Sequence, residues 1–293
     1  MNEELKTCGL LLAGGNGTRL FPISQAVNKH LLPVYDKPMI FYSLATIMLA
    51  GIRRIGIISR EEDIHLFNNL LGNGNRLGIE ITYLIQKSPK GIPDAYIIAE
   101  KFIGSNNVFL CLGDNIFVGQ GLGVALSGAL VHKGAHIFAF PVSNPEDYGV
   151  IEINAVTGKI ESLVEKPSNS VSRLAVPGLY LTDNAVIEIA KNLKPSKRGE
   201  LEIIALLNFY LLENKLKVSA FQRGIGWMDA GTVESLYTAG ELISVLQKRQ
   251  GMQFANLEEI AWRNGWISSR ELENLANSYP STEYKKYLMN LLK

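Results

Sequence analysis

Between Thr7 and Asp114, strand-like runs alternate with helical ones, and this alternation constrains the fold more than any other feature of the chain. TCGLLLA, RIGIIS, IEITYLI and NVFLCLGD read as short apolar strands. Pro38 to Ala50 stopped by Gly51, Glu61 to Leu71 stopped by Gly72, and Pro93 to Ile103 stopped by Gly104 read as helices between them. Such alternation predicts an α/β fold with a mostly parallel sheet and helices on both faces. Beyond Ala135 the rhythm becomes strand after strand (AHIFAFPV, YGVIEI, KIESLVEK, VPGLYLT), followed by helices at Asp183–Asn192 and Leu201–Glu213. The sheet is therefore expected to become mixed, with an antiparallel insertion packed beside the first half. From Gly251 onward the chain reads as an amphipathic helical extension.

Composition excludes several classes. With 47% apolar residues among 293, the chain can bury one large core or two modest ones. Its 29 basic and 28 acidic side chains create no net field to gather nucleic acid or a lipid surface. The longest apolar stretch, Met39 to Ile52, is interrupted by Tyr42, Ser43 and Thr46 and is too short to span a bilayer, so it reads as a buried helix. Cys8 and Cys111 lie in apolar runs with no leader ahead of them, which predicts reduced core thiols in a cytoplasmic protein.

The first strand ends in LAGGNGTRL. In a parallel α/β sheet, ligands sit outside the carboxyl ends of the strands, and the first strand-to-helix connection commonly cradles phosphate. Gly14, Gly15 and Gly17 fall there, and glycines let backbone N–H groups approach anionic oxygens while Arg19 and Lys29 supply charge. The loop is not a dinucleotide fingerprint, which would need glycine where Leu20 stands, and no P-loop motif occurs. AGG alone reads equally well as a plain turn. Asp114 alone reads as a cap or turn residue, and Lys166 alone as a solvated cation.

The whole ordered set reads differently. LAGGNGTRL, NKHLLPVYDKPMI, LGDNIF, EDYGVIE, VEKP, AVPGLYL, KRGELEI, GWMDAGT and EEIAWRNGW together closely resemble the sugar-1-phosphate nucleotidylyltransferases. Within that family they are most similar to the branch that transfers a thymidylyl group, in its longer form with a C-terminal extension. The resemblance implies a Rossmann-like fold: a nucleotidylyltransferase domain over 1–250, with a nucleotide-binding half (1–134) and a β-rich sugar-phosphate-binding half (135–250). Residues 251–293 would form a helical extension for oligomer contact and regulation. It implies transfer from dTTP to α-D-glucose 1-phosphate, giving dTDP-glucose and pyrophosphate by direct in-line displacement with Mg2+.

By the same resemblance, Arg19, Lys29, Asp114, Lys166 and Asp229 would carry catalysis, with Asp114 and Asp229 holding the metal. Leu12, Gly14, Gly15, Gly17, Thr18, Arg19, Gln86, Gly91 and Asp114 would meet the nucleotide. Asn115, Tyr148, Gly149, Glu165, Lys166, Val176 and Arg198 would meet the sugar phosphate. Gly119, Glu259, Ile260 and Arg263 match a regulatory site at a subunit contact of a homotetramer, although a docking helix alone would also explain the last three. The chemistry suits the residues. A sugar 1-phosphate is already an anionic nucleophile, so the protein needs cations and a metal rather than a Ser, Cys or His triad. The chain departs from the family pattern at Pro93-Asp94 (usually Ala-Gln), Ile204-Ala205 (usually Thr-Asp), Pro177 and Ala230 (usually Thr). These leave open UTP or another sugar phosphate as substrate, and a non-catalytic nucleotide-sugar sensor as a rival.

Overall fold

A computed structural model describes residues 6–130, 133–154, 156–169 and 172–293. The first five residues, where no leader is expected, lie outside that range. One mixed sheet runs through the molecule in the order Ile160–Glu165, Gly149–Ile153, Leu174–Ala175, Ala135–Pro141, Leu179–Thr182, Asn107–Leu112, Thr7–Leu12, Arg54–Ser59, Glu80–Ile85. The last four are mutually parallel, as the alternation predicts. Their apolar runs are continuous rather than alternating because helices cover both faces, and Leu10, Leu11, Ile57 and Ile58 are fully buried.

Leu179–Thr182 enters antiparallel between Asn107–Leu112 and Ala135–Pro141, making the sheet mixed. The far edge of Ala135–Pro141 is shared. Leu216–Ala220 runs parallel along its first five residues, and Leu174–Ala175 pairs antiparallel with its last two.

Helices Met39–Leu49 and Glu61–Leu71 form close to the expected limits. The first ten residues of Met39–Leu49 are all buried, which is why that helix carries no polar stripe. The expected helix over 93–103 is instead Asp94–Ile98 and Glu100–Ile103, interrupted where Ala99 leaves helical dihedrals. Helix Leu122–Gly128, helix Val233–Gln250, strand Leu216–Ala220 and the antiparallel pairing of Asn115–Val118 with Gly226–Asp229 went unread in the sequence. The tail folds as Leu257–Arg263, Ser269–Ser278 and Glu283–Leu291. Its Leu257, Ala261, Leu272 and Leu288 share one apolar cluster with Leu11 and Ile55 of the sheet and Ile40 of helix Met39–Leu49. Among the described residues, no helix is long and apolar enough to cross a membrane. Cys8 and Cys111 are free, buried thiols.

Candidate active site

The carboxyl ends of the parallel strands open onto the glycine loop. Ala13 still bonds Ile58 at 2.7 Å, after which the chain leaves the sheet. Gly14 has a chemical reason to lack a side chain, since a Cβ there would lie 2.1 Å from Gln86 Oε1. Gly17 takes φ 63°, a left-handed conformation favourable to glycine, and starts the short turn Thr18–Leu20 that exposes Thr18 and Arg19. The second loop is tied to the first through Asn28. Its amide nitrogen donates to the Ala13 carbonyl at 3.1 Å and to Asp63 at 2.8 Å, while its oxygen accepts from the His30 backbone N–H at 2.9 Å.

That brace presents Lys29 to Asp114, with which it forms a close ion pair. Asn115 Nδ2 donates to the other Asp114 oxygen at 3.0 Å. Burial alone would raise the Asp114 carboxyl, but the Lys29 ammonium and these bonds hold it well below the usual carboxylate range. Asp229 arrives by strand pairing, because Asn115 lies opposite Asp229 in register and Ala230 N–H donates to Asp114 O at 2.9 Å. Burial, and then the Asp114 charge, push the Asp229 carboxyl upward, with Arg19 opposing them. Arg19 and Asp229 also converge on Gly231, whose Cβ would lie 2.7 Å from an atom of each.

Two carboxylates under mutual repulsion suit a divalent cation. Among the described residues no group of three or more His, Cys, Asp or Glu is placed to hold a metal ion. An oxygen-only pair matches magnesium, which takes one or two carboxylates and completes its shell with water and substrate phosphate.

The residues expected around the sugar phosphate gather on the antiparallel strands. Tyr148 meets Trp227 edge to face at 5.0 Å, and Gly149 packs against Ile204, whose Cδ1 would lie 2.6 Å from a Cβ at that position. Glu165 lies 3.4 Å from Arg198 Nη2. Lys166 is exposed and sits at φ 44°, its N–H bonded to Tyr148 O at 3.0 Å. A lysine held in the left-handed region is strained, and such strain commonly marks a functional position. Val176 turns its side chain into the core, and its backbone N–H donates to Gly149 O at 2.8 Å. Asn115 is likewise inward, its oxygen accepting from Gly178 N–H at 3.0 Å and Trp227 Nε1 at 2.7 Å. It braces the floor beneath the carboxylates.

Elsewhere, Leu12 closes its strand, and Gln86 is buried at the end of another. Gly91 forms a parallel bridge with Leu201. Asp94 is buried rather than facing open solvent; burial raises its carboxyl, and a hydrogen bond from Gln86 opposes this. Gly119 borders a space of about 870 Å³ with Leu242, Leu246, Met252 and Phe254, whereas Arg263 is exposed and donates to Glu259 at 2.7 Å. Sequence reasoning did not single out His30, Trp227 or Glu202. Each stands in a quoted motif, beside Lys29, two residues before Asp229 and four after Arg198 respectively.

A sequence profile of the nucleotidyl transferase family matches residues 8–244. Over 286 residues the chain is 50% identical to a glucose-1-phosphate thymidylyltransferase of Neisseria meningitidis, covering 97% of this chain and 99% of that one. It is 47% identical to a protein of the same name from Mycobacterium tuberculosis, covering 97% and 98%. A UDP-glucose pyrophosphorylase solved with UDP-glucose superposes with a TM-score of 0.71 at 26% identity, over 84% of this chain and all of that one. A glucose-1-phosphate thymidylyltransferase structure from Bacillus anthracis gives 0.74 at 38%, over 80% and 94%. The chain belongs to the nucleotidyl transferase family, among its glucose-1-phosphate thymidylyltransferases.

Proposed function

We propose that this enzyme joins dTTP to α-D-glucose 1-phosphate, giving dTDP-glucose and pyrophosphate in one displacement. The observation that carries this reading is the Lys29–Asp114 pair beneath the glycine loop, with Asp229 and Arg19 converging beside it. A sugar-phosphate oxygen attacks the α-phosphorus, that P–O bond forms, and the bond to the β-phosphate breaks. No proton has to be removed from the nucleophile, so the protein's task is to align two polyanions and disperse charge.

Gly14, Gly15, Gly17 and Thr18 would cradle the triphosphate, Arg19 and Lys29 would follow the departing pyrophosphate, and Gln86 and Gly91 would meet the base. Asp114 and Asp229 would hold Mg2+, which when bound supplies electrostatic stabilisation of the phosphate oxygens. Lys166 and Arg198 would take the sugar phosphate, and Glu165 its hydroxyls. In a cytoplasmic homotetramer, Glu259, Ile260 and Arg263 would form an effector site with Gly119, completed at a contact between copies. Pyrophosphate release, measured with each nucleoside triphosphate and glucose 1-phosphate, tests the central reading. The expected result is turnover with dTTP and magnesium; no release with any nucleotide would favour the sensor instead.

A further inference from the structure

Glu202 precedes helix Ile203–Leu212 as its N-cap, where a side-chain oxygen would ordinarily accept from the helix's free N–H groups. It makes no such cap. Its Oε1 accepts instead from Ser196 Oγ at 2.7 Å and Arg198 Nε at 3.2 Å, and its Oε2 from Arg198 Nη2 at 2.9 Å. This is a two-point grip on a planar guanidinium, the geometry that fixes an arginine's direction rather than merely neutralising it.

The segment bearing this grip is itself held. Leu201 N–H donates to Lys90 O at 2.8 Å, and a Cβ on Gly91 would lie 2.1 Å from Leu201 O. Ser196 closes the turn from the other side, its N–H bonded to Glu200 O at 2.8 Å and its Oγ accepting from Arg198 N–H at 3.2 Å. Arg198 nonetheless remains 49% exposed, and the Nη2 that Glu202 holds also reaches Glu165 Oε1, at the longer distance of 3.4 Å.

We propose that Glu202 is a positioning residue for the sugar-phosphate half of the reaction: it aims Arg198 toward the incoming phosphate and away from full pairing with Glu165. This rests on the reading of Arg198 as a sugar-phosphate cation. An ion pair whose arginine is half exposed is screened by water and contributes little to stability, so the role lies in orientation, and its loss is read in substrate affinity rather than in melting.

The experiment compares Glu202→Gln, Arg198→Ala and the double variant with the unaltered enzyme, recording the KM for glucose 1-phosphate, the KM for dTTP and the Tm. The expected result is a rise of about tenfold in the sugar-phosphate KM for Glu202→Gln, a scale set by one charge-assisted contact, with the dTTP KM and Tm unmoved. Adding Glu202→Gln to Arg198→Ala should raise that KM no further, because the residue being aimed is gone. A sugar-phosphate KM that moves with Arg198→Ala but not with Glu202→Gln would overturn the positioning role and leave the Arg198 reading standing. No response to Arg198→Ala would sink the Arg198 reading, and the proposal with it. Equal shifts in both KM values with a lowered Tm would make Glu202 a structural residue only.

Discussion

The two halves of the site hold their charges in opposite ways. On the side of the parallel strands, Lys29 and Asp114 are nearly buried, locked to one another and braced by Asn28 and Asn115. On the antiparallel side, Lys166 is exposed, and an exposed Arg198 is shared by two half-buried carboxylates, Glu165 and Glu202. A buried pair is costly to break but already has its geometry; an exposed pair is cheap to rearrange around a ligand. The first arrangement suits the reacting centre, where charge must not wander, and the second suits a group that has to release one partner to accept another.

The largest test of this contrast is the pair Asp114→Asn and Asp229→Asn. Both should lower turnover about a thousandfold, equivalent to about 4 kcal/mol of lost transition-state stabilisation. Their stabilities should diverge. Asp114 has a depressed native pKa, so its charge stabilises the fold above the unfolded pKa, a contribution lost as pH falls; its asparagine variant should melt lower at pH 7. Asp229 has a raised native pKa, so its contribution is present at low pH and lost as pH rises through that value. Asp229→Asn can keep the 2.8 Å bond from Gly231 N–H while removing the repulsion, and should melt higher. Scanning calorimetry beside a turnover assay would show whether the carboxylates differ in this way; parallel Tm changes would erase the distinction.

A smaller effect separates the substrates. Arg19→Ala should raise the KM for dTTP by roughly tenfold to fiftyfold and Lys166→Ala that for glucose 1-phosphate, each leaving the other substrate within about threefold. Matched shifts in both constants for either variant would mean that the two sides do not divide the ligands.

The smallest effect concerns His30, which is buried against Gly113 and bonded through Nδ1 to Asn28. Burial first, and then Lys29, push its pKa down from 6.5 to about 3. The unfolded chain therefore takes up a proton below about 6.5 that the native ring refuses, and stability is lost progressively until about 3. His30→Gln should flatten the fall of stability with acid by up to about 1.4 kcal/mol per pH unit at its steepest. An unchanged slope between pH 6 and 4 would remove His30 from the brace.

The parallel half of the fold was legible because its strands are buried on both faces and read as unbroken apolar runs stopped by glycine. Asp114 and Asp229 were legible as a pair through the motifs of the resemblance, but the strand pairing that brings them together was not. Their meeting depends on NIFV pairing with GWMD, four-residue strands too short to show any period and far apart in the chain, in the antiparallel register that sets Met228 against Ile116 and Asp229 against Asn115. Helix Val233–Gln250 went unread although Thr232 opens it with a capping box and Gly251 closes it at φ 65°. Its exposed face mixes Tyr237 and Val245 with charged residues, which blurs the apolar stripe. The departure at Asp94 could be seen but not interpreted, because burial beside Gln86 is a property of the folded loop.

The tail's position has a consequence for how such a chain can evolve. Helix Met39–Leu49 presents no polar face, and Leu257 and Ala261 belong to the same apolar cluster as its Ile40, Leu44 and Ile47. Asn264 bonds Met48 O at 3.2 Å, and Gly78 must stay bare because a Cβ would lie 2.6 Å from Trp266 O. Once the catalytic body has been recoloured to receive the extension in this way, deleting the extension exposes a surface that no longer tolerates water. The addition works as a ratchet: a lineage can acquire the three helices by docking them, but to shed them it must first restore charge to a helix whose Ser43 also bonds the carbonyls of Gly113 and Asn115, on either side of Asp114.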